Sequence, residues 1–188
     1  MRHLLLLVIA FSSSVVMAAD IQALIGAYYN CGMSKYSPGD GVFIRPEDEV
    51  LGSTNLLAKH CMNDYEALKQ SLIAFEKATT IKVPPSYAAT TLQGHLEHAR
   101  NNIRFLMRLD RLAFCWEFKA GEYVRGTKES TESILDASLL GCPEDYNRLK
   151  EIIKMLSMAD AQMDRALQIA RQRVTKYILD ERLKQKGK

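Results

Sequence analysis

His95 and His98 stand three residues apart, a spacing that sets two imidazoles on one helix face and lets them share a metal. Two ligands do not close a structural zinc site, which takes four. No H-E-x-x-H occurs, so that zinc-peptidase arrangement is absent; no E-x-x-H occurs, so the di-iron bundle pattern is absent as well. The pair therefore reads as a solvated patch, with His95 and His98 kept only as weak metal candidates and no resident metal expected. Haem is opposed on two grounds. C-x-x-C-H is missing, which excludes covalent attachment, and the last helical segment carries no histidine to face a second axial ligand.

Other constellations carry less chemistry. Gly121 and Gly126 precede Thr127-Lys128, but a phosphate loop needs lysine directly after the second glycine and a strand before the first. Met155, Met158 and Met163 could offer thioethers to Cu(I), although filling irregular gaps is the commoner use of methionine. No G-x-S-x-G is present, and no two acids stand out as a glycosidase pair. No cofactor is expected. Val42-Phe43-Ile44-Arg45 is the one segment with the makings of a partner contact. Three apolar residues and an arginine in a turn-rich connection fit either an interaction tip or a lid that tucks Phe43 into the core, and the lid is the simpler expectation.

The four cysteines are Cys31, Cys61, Cys115 and Cys142. No C-x-x-C pair occurs, which argues against zinc. An even number in an exported chain argues for two disulfides. A pattern, C-x-x-D-Y-x-x-L-K, begins at Cys61 and again at Cys142. In each case another cysteine precedes it, by 30 residues for Cys31 and 27 for Cys115. The simplest reading is a duplicated Cys-bearing helical hairpin, with repeat-like halves over about 19–78 and 100–170, bridged Cys31–Cys61 and Cys115–Cys142. On a helix Cys61, Tyr65 and Leu68 share one face, as do Cys142, Tyr146 and Leu149. Asp145 and Glu144 follow Pro143 in a first turn, where acids help satisfy free N–H groups.

The elements that must position these residues read as helices throughout. Residues 20–35 place Ile21, Leu24, Ile25, Tyr28 and Cys31 at helical spacing. A second helix starts at Pro46 and runs to about Lys77, with Gly52-Ser53-Thr54 as a point where it could break. A third runs from Tyr87 to Lys119 and ends at Ala120-Gly121-Glu122. Its later half carries Phe105, Leu112, Phe114 and Phe118 on faces away from its main stripe, as expected of a helix packed on several sides. A shorter helix reaches Leu140, and a last one runs from Pro143 to about Leu183. The expected fold is an all-α, disulfide-stapled bundle of four or five helices.

The first 18 residues read as a signal peptide: Arg2 and His3, an apolar run of eight from Leu4 to Phe11, then Val16-Met17-Ala18 as a cleavage site. That run is too short to span a bilayer, and no later stretch reaches the length of a span. Residues 19–188 are then a single helical domain outside the cytoplasm, periplasmic or secreted. Charge is uneven along it. Residues 171–188 carry seven Lys/Arg and two acids, while residues 19–170 are net −3. A nucleic-acid binder would show a larger basic surplus over a whole face. The basic stretch 171–188 could meet an anionic surface, but continuation of the apolar stripe into it favours ordinary last turns of the bundle. The expected function is a non-catalytic protein-binding or inhibitor-type module for another exported or envelope protein. A carrier with an apolar cavity between helices and a cell-envelope hydrolase are the alternatives.

Overall fold

Apolar residues recurring by threes and fours dictate helices, and in the computed structural model every regular element is helical. The structure describes residues 20–37, 39, 44–78, 84 and 86–186, and among these there are seven α-helices and no strand. Helix α1 spans residues 20–35. A 3-10 turn, Pro46–Asp48, leads into α2 (Glu49–His60), followed by α3 (Met62–Ala78), α4 (Tyr87–Gly126), α5 (Thr131–Leu140), α6 (Pro143–Met155) and α7 (Asp160–Lys186). No helix among the described residues is long and apolar enough to cross a membrane. The signal-peptide reading of residues 1–18 lies outside the described residues.

Seven helices replace the four or five expected because two continuous stripes are each interrupted. The helix from Pro46 does not break at Gly52-Ser53-Thr54. Ser53 Oγ and Thr54 Oγ1 bond back to the Val50 carbonyl within α2, and the interruption falls at Cys61. The helix from Pro143 stops at Leu156. Ser157 takes a left-handed φ of 50°; its N–H reaches the Lys154 carbonyl and the Met158 N–H reaches the Ile153 carbonyl. Those two bonds make a Schellman termination, with serine where glycine is usual. Gln162 Oε1 then accepts from the Ala159 N–H to start α7.

The expected end of the long helix at Gly121 is also corrected, since α4 continues to Gly126. Gly121 is a packing notch: a β-carbon there would lie 2.8 Å from the Tyr177 hydroxyl. The turn chemistry read from Ala120-Gly121-Glu122 was a close helix approach.

The chain forms two compact units: one comprises the residues through Tyr36 with Val50–Ile103, the other Ser37–Glu49 with Arg104–Lys188. In the first unit Ile21, Ile25, Tyr28, Leu57, Leu68, Leu72, Leu92 and Ile103 form the interior. Gly32 lets α1 close on it, since a β-carbon would meet Leu57 Cδ2 at 3.0 Å and Ile103 Cδ1 at 3.3 Å. In the second, Leu112, Trp116 and Val124 of α4 pack with Ile134 of α5, Leu149 and Ile152 of α6, and Val174 and Ile178 of α7.

Each unit carries one disulfide, Cys31–Cys61 in the first and Cys115–Cys142 in the second. Closing loops of 30 and 27 residues stabilises the fold by about 3.5 kcal/mol each in the loop-entropy treatment. Both copies of the nine-residue pattern occupy equivalent places. Cys61 directly precedes α3 and Cys142 caps α6; both are buried, as are Leu68 and Leu149. Two disulfides indicate an oxidising, exported environment.

Candidate functional site

The histidine pair belongs to the first unit and has a companion the sequence reading missed. Tyr29 of α1 lies 2.7 Å from His95 Nδ1 through its hydroxyl, and its ring sits 5.0 Å from that of His98. Burial raises the Tyr29 hydroxyl above the usual phenol range. It keeps its proton, and the bond to Nδ1 orients the His95 ring, the donor being set by the imidazole tautomer. Burial, and then the neighbouring His98, hold His95 below the usual imidazole range. Tyr28, fully enclosed beside Tyr65, is pushed up to about 12, chiefly by burial. All of this favours neutral, hydrogen-bonded rings. Among the described residues no group of three or more His, Cys, Asp or Glu could hold a metal.

Two hollows flank this cluster. One of about 180 Å³ is lined by Ile21, Ile25, Leu72, Phe75, Thr91 and His95 among others. Another of about 230 Å³ is lined by Tyr28, Leu57, Met62, Tyr65 and Leu96 among others. Both fall short of the ~300 Å³ at which sites for drug-sized ligands begin.

Carboxylates converge in the second unit, and each is met by an arginine. Glu49, 1% exposed at the start of α2, accepts from Arg108 Nε at 2.8 Å and has Arg104 Nε at 3.7 Å. Arg108 also donates to the Arg148 carbonyl and approaches Glu151 at 3.5 Å. Asp145 of the repeated motif lies 3.6 Å from Arg111 Nε. Arg173 of α7 forms a two-pronged bond to Glu117 at 2.6 and 3.1 Å and reaches Asp110 Oδ1 at 2.7 Å. These groups bind helix to helix and stand at the positions of crosslinks. The sequence signal for them was available: Arg104, Arg108 and Arg111 follow at i, i+4 and i+7 on one side of the helix.

The same residues hold the connection before α2. The Gly39 N–H donates to Asp110 Oδ2, and Arg111 Nη1 donates to the Ile44 carbonyl at 3.1 Å. Consecutive residues of α4 thus bond the backbone at Gly39 and at Ile44, the latter within the segment read as a contact tip or a lid. Val42 and Phe43 lie outside the described residues. Ile44 is half-buried, and Arg45 is exposed and paired with Asp48 at 2.8 Å and Glu47 at 3.6 Å. The three methionines are placed separately along the chain: Met155 is exposed at the end of α6, Met158 packs on the core from the turn, and Met163 is half-buried on α7.

The largest departure from the sequence reading is on α4. Phe114 and Phe118, expected inside, are 45% and 59% exposed one turn apart. They flank Cys115, whose bond to Cys142 brings the end of α5 alongside. Gly141 there approaches Lys119 closely enough that a β-carbon would meet its Cγ at 3.1 Å. Leu140, two residues before Cys142, is 82% exposed, so three large apolar side chains stand in water close in sequence to the two ends of this bond. The Cys115–Cys142 bond, the Arg173–Glu117 pair and the core of α4, α5 and α7 hold the backbone there. No family model matches this chain, and neither a curated protein nor a solved structure does.

Proposed function

We propose that this chain is an exported, non-catalytic protein-binding module of the inhibitor type, built on a duplicated Cys-bearing hairpin and delivered by a signal peptide over residues 1–18. The observation that carries the reading is the exposed Phe114, Phe118 and Leu140 on a disulfide-braced scaffold. Aromatic anchors on rigid backbone give up little conformational entropy on docking and dominate interface energetics. The carrier reading is supported less well by hollows of 180–230 Å³ that stand open. The hydrolase reading is supported less well because Glu49, Asp110, Glu117 and Asp145 are each engaged by an arginine in an ion pair. The partner is an exported or envelope protein with an apolar recess for aromatic side chains.

The test is the double variant Phe114→Ser with Phe118→Ser. Solvent-facing substitutions of this kind change stability by only about 0.5 kcal/mol. Crosslinking and capture with mature protein in its native compartment should recover a partner with the wild type and lose it with the variant. A central aromatic anchor contributes about 2 kcal/mol or more, a thirtyfold loss of affinity. Recovery of the same proteins by both forms would overturn the reading.

A further inference from the structure

Helix α7 carries large apolar residues on two opposite sides. Its inner side is accounted for: Ala170, Val174 and Ile178 are buried in the second unit's core. Arg182 donates to Thr131 Oγ1 at 3.1 Å, and Gln185 donates to the Val124 carbonyl at 3.3 Å. The helix is therefore fastened along its length nearly to its end. On the opposite side Arg165, Ile169, Gln172, Lys176, Leu179 and Leu183 follow one another by fours and threes, and all are exposed. Ile169, Leu179 and Leu183 are 60%, 49% and 67% exposed, far more than large aliphatic side chains usually show. Asp180 lies at the edge of the stripe, while Asp160, Asp164 and Glu181 project elsewhere on the helix.

We infer that this outer face of α7 is a docking surface for an anionic phospholipid bilayer. The charge argues for it. Residues 171–188 hold seven Lys/Arg against two acids, in a chain whose residues 19–170 are net −3. On the stripe itself the charges are Arg165 and Lys176, while Arg173, Arg182 and Lys184 are engaged with Glu117, Thr131 and Glu181. The order of residues along the stripe also selects among occupants. Gln172 and Lys176 stand at its middle, with the apolar residues toward its ends. A second copy of α7, pairing parallel or antiparallel, would bring Lys176 against Lys176 at the centre of a buried seam. A partner helix would likewise have to desolvate that ammonium. A lipid surface makes no such demand. Ile169, Leu179 and Leu183 enter the headgroup–acyl boundary while the long stems of Arg165 and Lys176 carry their charges up to the phosphates. The inference is independent of the protein-binding patch on α4.

Mature protein is sedimented with vesicles of phosphatidylcholine alone and with admixed phosphatidylglycerol. Binding is expected only with the anionic lipid, and it should fall steeply with added salt. Leu179→Ser with Leu183→Ser should weaken it at least about tenfold. Arg165→Glu with Lys176→Glu should weaken it comparably, and Leu51→Ser on α2 should leave it unchanged. Circular dichroism of each variant establishes that the helices remain. Absence of wild-type binding overturns the inference. So does retention by the Leu179/Leu183 variant, which would reduce the effect to diffuse charge, or equal binding to neutral vesicles. A concentration-dependent dimer abolished by the same leucine changes would assign the stripe to a second copy instead and would also overturn it.

Discussion

Removing the Glu49 carboxylate is the sharpest test of how the second unit is held. Glu49 is almost wholly enclosed, and its partner Arg108 has a side chain only 10% exposed. In Glu49→Ala the Arg108 Nε loses its 2.8 Å acceptor and the neighbouring Arg104 loses a carboxylate at 3.7 Å. Breaking a buried pair from one side leaves the other charge desolvated and costs about 3–5 kcal/mol. Arg108 retains the Arg148 carbonyl and the more distant Glu151, so the lower part of that range, about 3 kcal/mol, is expected. Glu49→Gln keeps an acceptor and loses only the charge, so it should cost roughly half as much. Urea unfolding followed by circular dichroism measures both. A double-mutant cycle with Arg108→Met isolates the pair, and the coupling should exceed about 1 kcal/mol. A Glu49→Ala cost below about 1 kcal/mol, with no coupling to Arg108, would refute the claim that this pair clamps the start of α2 to α4.

Three further outcomes follow from particular contacts. Gly121→Ala should destabilise by about 1–3 kcal/mol through overpacking against the Tyr177 hydroxyl, and the penalty should largely vanish in a Tyr177→Phe background; thermal melts of the four forms decide it. Ser157→Gly should stabilise by up to about 1 kcal/mol because it relieves a left-handed residue at the α6 terminus, whereas Ser157→Val should destabilise. His95 should make stability depend on pH. Its folded pKa lies below the unfolded 6.5, so between those two values the unfolded chain binds more protons; stability is full above 6.5 and is lost as pH falls toward the folded value. His95→Gln, which can still accept from Tyr29, should flatten that part of the profile, and an unchanged slope would remove His95 as its source.

The helical class and the cysteine pairing were legible because they rest on periodicity and spacing, which survive without knowledge of neighbours. Interruptions were not. Ser157 carries none of the usual glycine signature at a helix end, so the stripe from Leu149 to Tyr177 read as unbroken. Gly121 misled in the opposite direction: a glycine that admits Tyr177 and a glycine that ends a helix look alike until the partner is known. Tyr29 escaped notice beside His95 because the two are 66 residues apart and meet only through tertiary packing. Phe114 and Phe118 were assigned to the interior on hydrophobicity alone. That rule runs only one way, since a buried residue tends to be apolar while an apolar residue need not be buried.

The distribution of polar groups gives the exposed phenylalanines their meaning. In the second unit the charged side chains of α4 serve as crosslinks. Glu49, Asp110 and Glu117 bind Arg104, Arg108 and Arg173, and the Asp110-Arg111 pair fastens the backbone at Gly39 and Ile44. Phe114 and Phe118 could have been serine or lysine at no cost to the core, since they lie on the side of α4 away from Leu112, Trp116 and Val124. Two aromatic rings and Leu140 standing in water add nothing to the core and carry a solubility liability. On the proposed reading a partner removes them from water, which is why the binding experiment on these two positions, rather than on the histidines or the carboxylates, bears most directly on what this protein does.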